Sequence, residues 1–143
     1  MQDHPTSQEL VDAVAQFLNT ELAPTLSDPR QKFRALVAAN VLHIVAREMQ
    51  MGDALLQAEW HRLNVLMGDD APGENFAQEM DVMTRAVCMK IRAGNADDGE
   101  FHDAVFSHVE QTVMEKLQVA NPKYLERVVK ETANPHESTR INN

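Results

Sequence analysis

Apolar residues recur every three or four positions along most of the chain, and this helical period restricts the fold more than any other feature. Leu10, Val14 and Phe17, for example, follow one another at helical spacing. No convincing alternation of apolar and polar residues indicates a strand, and no hairpin dipeptide joins two apolar runs. The sequence therefore predicts an all-α fold, an up-and-down antiparallel helical bundle of about five to six helices.

Residues that typically begin or end helices divide this pattern into six segments. Thr6 and Glu9 form a capping box, and Asp28 followed by Pro29 is a strong helix start. Pro24 and the following turn at 26–27 should separate the first helix from the second. Gly52 should end the second helix, predicted at 29–51. The later helices are predicted to start near Asp53, Phe76, Gly99 and Pro122, with stops at Gly68 and Gly94 and a tyrosine, Tyr124, turned inward on the last helix.

The chain of 143 residues fits one domain, and we expect a single helical bundle at 1–131 followed by a disordered polar tail at 132–143. The lone cysteine, Cys88, excludes an internal disulfide framework and agrees with a reducing compartment. The first nine residues are polar, unlike a signal peptide, and no apolar run reaches the length of a membrane span. These features predict a cytoplasmic protein that does not bind a membrane.

The acidic balance argues against nucleic acid as a partner. The formal net charge is −9, whereas phosphate binding requires clustered Lys and Arg. Acidic residues concentrate in two connectors, at 69–74 and at 97–100, where a solvated surface is the simplest interpretation. The second connector superficially resembles a calcium loop that starts at Asn95. Its glycine is one position early and Phe106 stands where the last ligand should be, so calcium binding fails on spacing.

Polar residues on the predicted second helix lie beside the line that should face the core. That line contains Val37, Val41, Ile44 and Glu48, and the neighbouring row contains Leu36, Asn40, His43 and Arg47. Burying an unpaired amide costs about 1–3 kcal/mol, so polar groups in or beside the seam need partners. An internal hydrogen-bond network and a site for an anionic ligand or a protein partner both satisfy this need.

The fifth and last predicted helices carry further polar candidates. His108 and Lys116 share a face with Val105, where a histidine at the core rim and a lysine that extends its ammonium into water are the simplest interpretations. Asn121 should cap the last helix, with Tyr124 as an anchor. The candidate ligand-binding or partner-binding residues are therefore Asn40, His43, Arg47, Glu48, His108, Lys116, Asn121 and Tyr124.

Catalytic signatures are missing from the sequence. There is no nucleophile elbow, phosphate-binding glycine loop or zinc-protease motif, and the six histidines are scattered over separate segments. No catalytic residue, metal site or cofactor is predicted, which favours a protein that is not an enzyme. Cys88 and Trp60 lie on apolar helix faces and are expected in the core.

The ordered combination of several short motifs resembles a family of small helical bacterial proteins of unknown function, over roughly residues 4–125. The motifs are His4-Pro5-Thr6, Glu9-Leu10, Phe33-Arg34, Val37-Ala38-Ala39-Asn40, Ile44-Val45-Ala46-Arg47-Glu48, Gly52, Cys88, Ile91-Arg92-Ala93-Gly94, Lys116-Leu117 and Asn121-Pro122-Lys123-Tyr124. Genes of this family often lie beside those for acyl-CoA dehydrogenases and aminoglycoside-phosphotransferase-like kinases. The resemblance implies a role coupled to such a neighbour and gives no catalytic residue.

Three hypotheses follow from the sequence. The first is an accessory or interaction protein that works with a phosphotransferase-like kinase or an acyl-CoA-metabolising enzyme. The second is a bundle that binds or converts a small anionic ligand in a polar pocket between helices. The third is a structural homo-oligomer, a homodimer formed through an apolar helix face that the bundle leaves uncovered.

Overall fold

The computed structural model describes residues 4–68 and 75–133, and every regular element within these ranges is helical. The elements are α1 (Ser7–Gln16), a π-helical stretch (Phe17–Leu22), α2 (Ala23–Thr25), α3 (Pro29–Met67), α4 (Phe76–Arg92), α5 (Gly99–Ala120) and α6 (Pro122–Ala133). The all-α fold class is confirmed. The acidic connector at 69–74 and most of the predicted tail, 134–143, lie outside the described residues.

The helix starts that the sequence predicts are present with their capping hydrogen bonds. The Glu9 N–H donates to Thr6 Oγ1 at 3.2 Å, and the Thr6 N–H donates to Glu9 Oε2 at 2.6 Å. This backbone hydrogen bond lowers the pKa of the Glu9 carboxyl. At the start of α3, the Arg30 N–H donates to Asp28 Oδ1 at 2.9 Å. Both pairs bond backbone N–H groups in the first helical turn, which have no partner within the helix.

The predicted separation between the first two helices is present at 26–28, but the helical path first continues through Pro24. In an α-helix the proline ring clashes with the carbonyl four residues earlier, and proline has no N–H to donate. Here the preceding turn is π-helical, and the Ala23 N–H donates to the Leu18 carbonyl five residues earlier. This wider register changes the position of the carbonyls next to the ring, and the chain turns away only at Leu26, which is extended.

The prediction that Gly52 ends a helix is wrong, because α3 runs without interruption from Pro29 to Met67. Gly52 is not among the glycines with positive φ, so it keeps a right-handed backbone conformation. A glycine inside a helix costs only about 1 kcal/mol relative to alanine, which neighbouring helical turns can offset. Gly68, with φ of +73°, adopts the left-handed conformation typical of a helix end, as predicted.

The chain divides into two compact units, Met1–Asp53 and Ala54–Asn143. In the second unit, Leu63, Val87 and Val105 from three helices form a buried cluster. Partly buried side chains surround it: Leu66, Met67, Met80, Met83, Ala96 and Phe101. Among residues 4–53 of the first unit, the buried apolar residues are alanines, at positions 15, 23, 35, 39 and 46. A single domain at 1–131 stays a prediction.

Two expectations about the end of the chain and the core are wrong. Thr132 and Ala133 belong to α6, so they are helical and not part of a disordered tail. Cys88 is exposed, because it lies one position beyond the buried Val87 on α4 and therefore on a different side of that helix. Trp60 is buried as predicted.

Candidate functional site

A cavity of about 620 Å³ lies between α3 and α5 in the second unit. Its lining residues are His61, Arg62, Val65, Leu66, Glu100, Phe101, Ala104, Ser107 and His108. Its volume falls within the ~300–1,000 Å³ typical of small-molecule sites, and a mostly apolar lining with a few polar groups is the usual composition of such sites. The cavity is therefore a candidate site within the part of the chain that the structure describes.

The polar side of the cavity depends on an ion pair between the two helices. Arg62 Nη1 donates to Glu115 Oε1 at 2.8 Å and Nη2 donates to Oε2 at 2.5 Å, the bidentate geometry that suits a guanidinium and a carboxylate. Nη2 also lies 3.5 Å from Thr112 Oγ1, and Gln111 Nε2 donates to Glu115 Oε1 at 3.0 Å. Both charged side chains are mostly buried. The Arg62 head group is thus committed to a protein carboxylate.

The ionisation of Glu115, a member of this pair, and of His108, which lies beside it, follows from burial and charge. Burial raises the pKa of Glu115, but hydrogen bonds from Arg62 and Gln111 outweigh it, so the net effect is a lowered pKa and a carboxylate. Burial lowers the pKa of His108, and the positive charge of Arg62 lowers it further. His108 therefore presents a neutral imidazole to the cavity near pH 7.

Two residues of the cavity carry buried polar atoms with no hydrogen-bond partner among the described residues. These atoms are Arg62 Nε and His108 Nδ1. A buried polar atom without a partner costs about 1–3 kcal/mol. A half-turn of the imidazole about its Cβ–Cγ bond exchanges Nδ1 with a ring carbon, so a small rearrangement on ligand binding can relieve this cost. Asn64, also buried, has an unpartnered Nδ2 but does not line the cavity.

Trp60 lies beside the cavity without lining it. Its ring packs edge-on against the His61 ring, with centroids 5.0 Å apart, and against Phe76 at 5.1 Å. The indole Nε1 donates to Glu79 Oε2 at 2.6 Å. Because Trp60 is the only tryptophan in the chain, its fluorescence reports on the neighbourhood of the cavity.

Of the candidates predicted on the last two helices, the structure brings His108 alone to the cavity. Lys116 is exposed and is not part of the lining, in agreement with an ammonium in water. Asn121 caps α6, since its Oδ1 accepts from the Tyr124 N–H at 3.1 Å. Tyr124 is exposed rather than turned inward, with the Arg127 guanidinium 5.0 Å from its ring centroid. A ligand or partner role for these residues stays a prediction.

The polar row on the first part of α3 only borders the buried seam. Asn40 and Glu48 are exposed, so the interior position considered for Asn40 is wrong; the buried positions are alanines one or more places away. His43 and Arg47 are half-buried. His43 Nδ1 lies 3.7 Å from Asp12 Oδ1 of α1. The structure thus places these four residues in the first unit, apart from the cavity lining, and their role as a site stays a prediction.

Within 4–68 and 75–133, no three His, Cys, Asp or Glu side chains are arranged to hold a metal ion. No helix in those ranges combines the length and apolarity needed to cross a bilayer.

Sequence reasoning missed most of the cavity, including His61, Arg62 and Glu100. One signal was present. His108, Thr112 and Glu115 recur at steps of four and three on α5, the same face that carries the buried Val105. A carboxylate on a core-facing helix requires a cation, and this requirement points to an arginine on another helix near a core residue.

These features define a class: a small all-α protein with a mostly apolar cavity between two helices. A family model described as "Domain of unknown function (DUF6285)" matches residues 24–124. The chain therefore belongs to this family, which agrees with the resemblance to a family of unknown function. The matched range contains the whole cavity lining. No curated protein and no solved structure matches the chain.

Proposed function

We propose that this protein binds a small molecule in the α3–α5 cavity, and that the ligand is mostly apolar with one uncharged hydrogen-bonding group. The observation that carries the proposal is the combination of an apolar cavity of ligand size with two residues, Arg62 and His108, whose buried nitrogens have no described partner. After a small shift of either side chain, a ligand oxygen could accept a hydrogen bond from a nitrogen that has no acceptor among the described residues.

The charges around the cavity favour an uncharged ligand over an anion. Arg62 is paired with Glu115, His108 is neutral near pH 7, and Glu100 adds a carboxylate to the lining. An anion in this open cavity would lose part of its hydration without meeting an unpaired positive charge among the lining residues. The Lys90 ammonium lies 5.1 Å from the Phe101 ring centroid but outside the lining. A hydroxyl or carbonyl oxygen can accept from an N–H of either Arg62 or His108 at a much lower desolvation cost.

A homologous series of probes tests both parts of the proposal. Primary alcohols from 1-butanol to 1-octanol are titrated into the full chain while Trp60 fluorescence and backbone amide chemical shifts are recorded. Because each buried methylene contributes ~0.8 kcal/mol, the affinity should rise about fourfold per added carbon. Carboxylates of the same chain length should bind at least about tenfold more weakly. Tighter binding of the carboxylates would contradict an uncharged ligand.

A matched pair of variants locates the binding. Ala104→Phe fills the cavity from α5 and should abolish the response to 1-octanol. Ala77→Phe places the same ring at an exposed position of α4 outside the lining and should leave the response unchanged. Equal responses from the two variants would show that the alcohols bind elsewhere and would overturn the proposal.

We also propose an accessory role beside a phosphotransferase-like kinase or an acyl-CoA-metabolising enzyme, as the resemblance in sequence implies. The observation that favours a protein partner is an exposed apolar stripe on α5, formed by Phe106, Val109 and Val113. Such stripes on a protein surface often mark contact sites. Co-purification with each candidate enzyme, repeated with Phe106→Ser, tests it. Failure of both enzymes to bind would contradict this role, as would binding that Phe106→Ser does not weaken.

A further inference from the structure

The first unit buries small apolar side chains and leaves the larger ones half-buried or exposed. In the part of Met1–Asp53 that the structure describes, the fully buried apolar residues are all alanines. Nine larger apolar side chains there are at least 38% exposed: Leu10, Val14, Phe17, Phe33, Leu36, Val37, Val41, Val45 and Met49. Burial of large apolar side chains is the main stabilising contribution to folding. This unit therefore lacks much of that stabilisation until another surface covers it.

One exposed face of α3 is centred on Val41. Successive helical residues are about 100° apart, so Val37 and Val45 lie about 40° to either side of Val41, one turn away. Arg34 and Glu48 lie about 20° to either side, two turns away. We define the Val41 face as these five residues with Phe33 and Met49 at its edges; the five apolar members are exposed by 40% to 68%.

The opposite side of α3 is the one that α1 occupies. His43, which lies 3.7 Å from Asp12 of α1, is about 160° around the helix from Val41. The buried Ala39 is a similar angle away in the other direction. Contact with α1 therefore leaves the Val41 face uncovered within the first unit.

The Val41 face is symmetric about its centre and opposite in charge at its ends. Arg34 precedes Val41 by seven residues and Glu48 follows it by seven. If a second copy lies antiparallel on this face with Val41 at the two-fold axis, Arg34 of each copy comes opposite Glu48 of the other. Within one chain the two residues are about 21 Å apart along the same helix and cannot pair.

The same two-fold axis also places apolar residues of one copy opposite apolar residues of the other. Val37 of one copy comes opposite Val45 of the other, and Phe33 comes opposite Met49. The apolar members offer roughly 500 Å² of exposed surface per copy, close to the apolar share of a standard interface of about 800 Å² per partner. Charge and area therefore both fit a second copy of the chain.

We propose that two copies of this chain associate antiparallel through the Val41 face, with Arg34 of each copy paired to Glu48 of the other. The association covers the large side chains that the alanine-packed unit exposes. It involves the first unit and is independent of the ligand proposed for the α3–α5 cavity.

Charge reversal tests the pairing by sedimentation equilibrium of the full chain over a range of concentrations. The natural chain should sediment with twice the mass of one chain. Arg34→Glu and Glu48→Arg should each raise the dimer dissociation constant about tenfold, because like charges then face each other. The double variant should return to within about threefold of the natural value. A monomeric natural chain, or a double variant no better than either single one, would overturn the proposal.

A substitution at the axis and its control test the face itself. Val41→Glu places two carboxylates against each other and should raise the dissociation constant by about 100-fold or more. Val82→Glu makes the same change at an exposed position of α4 and should leave the mass unchanged. Circular dichroism checks that both variants stay helical. A dimer that survives Val41→Glu would show that another surface forms it.

Oxidative cross-linking provides a second measurement in a Cys88→Ser background. Val41→Cys should give a covalent dimer, since each introduced thiol meets its own copy at the axis. Gln50→Cys, on the opposite side of α3, should not. Equal cross-linking of the two variants would contradict an interface through the Val41 face.

Discussion

Arg62 and Glu115 are separated by 53 residues in the sequence and form a bidentate ion pair between α3 and α5. The pair sets the electrostatics of the neighbouring cavity in two ways. The Glu115 carboxylate balances the charge of Arg62, which would otherwise attract an anion. The guanidinium still lowers the pKa of His108 and so helps to keep the imidazole neutral. The character of the site therefore depends on a contact that no local motif contains.

Removing the carboxylate of this pair should destabilise the second unit. Glu115→Ala leaves the mostly buried guanidinium without its acceptor, and we expect a loss of about 2 kcal/mol in the free energy of unfolding. Urea unfolding followed by Trp60 fluorescence measures the change. Glu110→Ala, at an exposed position of the same helix, should change stability by less than about 0.5 kcal/mol. Equal losses in the two variants would contradict a stabilising pair.

Lowering the pH should remove the stabilisation that the Glu115 carboxylate gives to the folded chain. The pKa of Glu115 in the folded chain is lower than its ordinary value of 4.5, so the unfolded chain binds the proton first as the pH falls. The stabilisation is fully present above pH 4.5 and is lost as the pH falls through the lowered pKa. The natural chain should therefore lose its advantage over Glu115→Gln below pH 4.5. A constant difference between the two from pH 7 to pH 3 would contradict this prediction.

The free energy of unfolding of the second unit should also depend on the protonation of His108, at a higher pH than for Glu115 but still below pH 7.5. Burial and the charge of Arg62 lower its pKa below the ordinary value of 6.5, while Glu59 and Glu115 oppose this shift without reversing it. The unfolded chain therefore takes up a proton near pH 6.5 before the folded chain does, and stability falls as the pH drops from 7.5 through that range. His108→Gln should remove this part of the slope.

Urea unfolding of the natural chain and His108→Gln at several pH values between 5 and 7.5 measures the difference in slope. His102→Gln is the matched control, because His102 is exposed on the same helix and does not line the cavity. An imidazole of His108 that titrates at or above 6.5 in an NMR titration would contradict the prediction directly.

Local signals in the sequence predicted the helices well and the site poorly. The Thr6–Glu9 box, the Asp28 start and the Gly68 stop are all present because each depends on residues within one helical turn. The cavity depends instead on which side chains of different helices meet. Periodicity shows that a face is buried but not which other face covers it, so the partner of Glu115 stayed hidden.

The polar residues on the first part of α3 also show that spacing alone does not determine which side chains are buried. The spacing that placed Asn40 beside an apolar line is correct, but the structure buries small residues such as Ala39 and leaves the neighbouring valines exposed. Hydrophobicity alone favours the larger side chains for the interior. The buried apolar positions described in this unit are alanines, while many larger apolar residues stay exposed. The interface with a second copy that we propose would cover these exposed side chains.

Because α3 continues without interruption through Gly52, we expect alanine at this position to stabilise the helix. A Cβ added at Gly52 would lie 3.1 Å from Glu48 Oε1, the end of a flexible and exposed side chain that can move aside. Gly52→Ala should therefore raise the free energy of unfolding by about 0.5–1 kcal/mol, because alanine favours the helix and restricts the unfolded chain. Gly68→Ala is the control of opposite sign: nothing lies near its added Cβ, but its φ of +73° is strained for alanine, and stability should fall by about 1 kcal/mol. Thermal and urea unfolding of both variants measure the two signs, and a loss of stability in Gly52→Ala would indicate that α3 needs a break or a bend at this position.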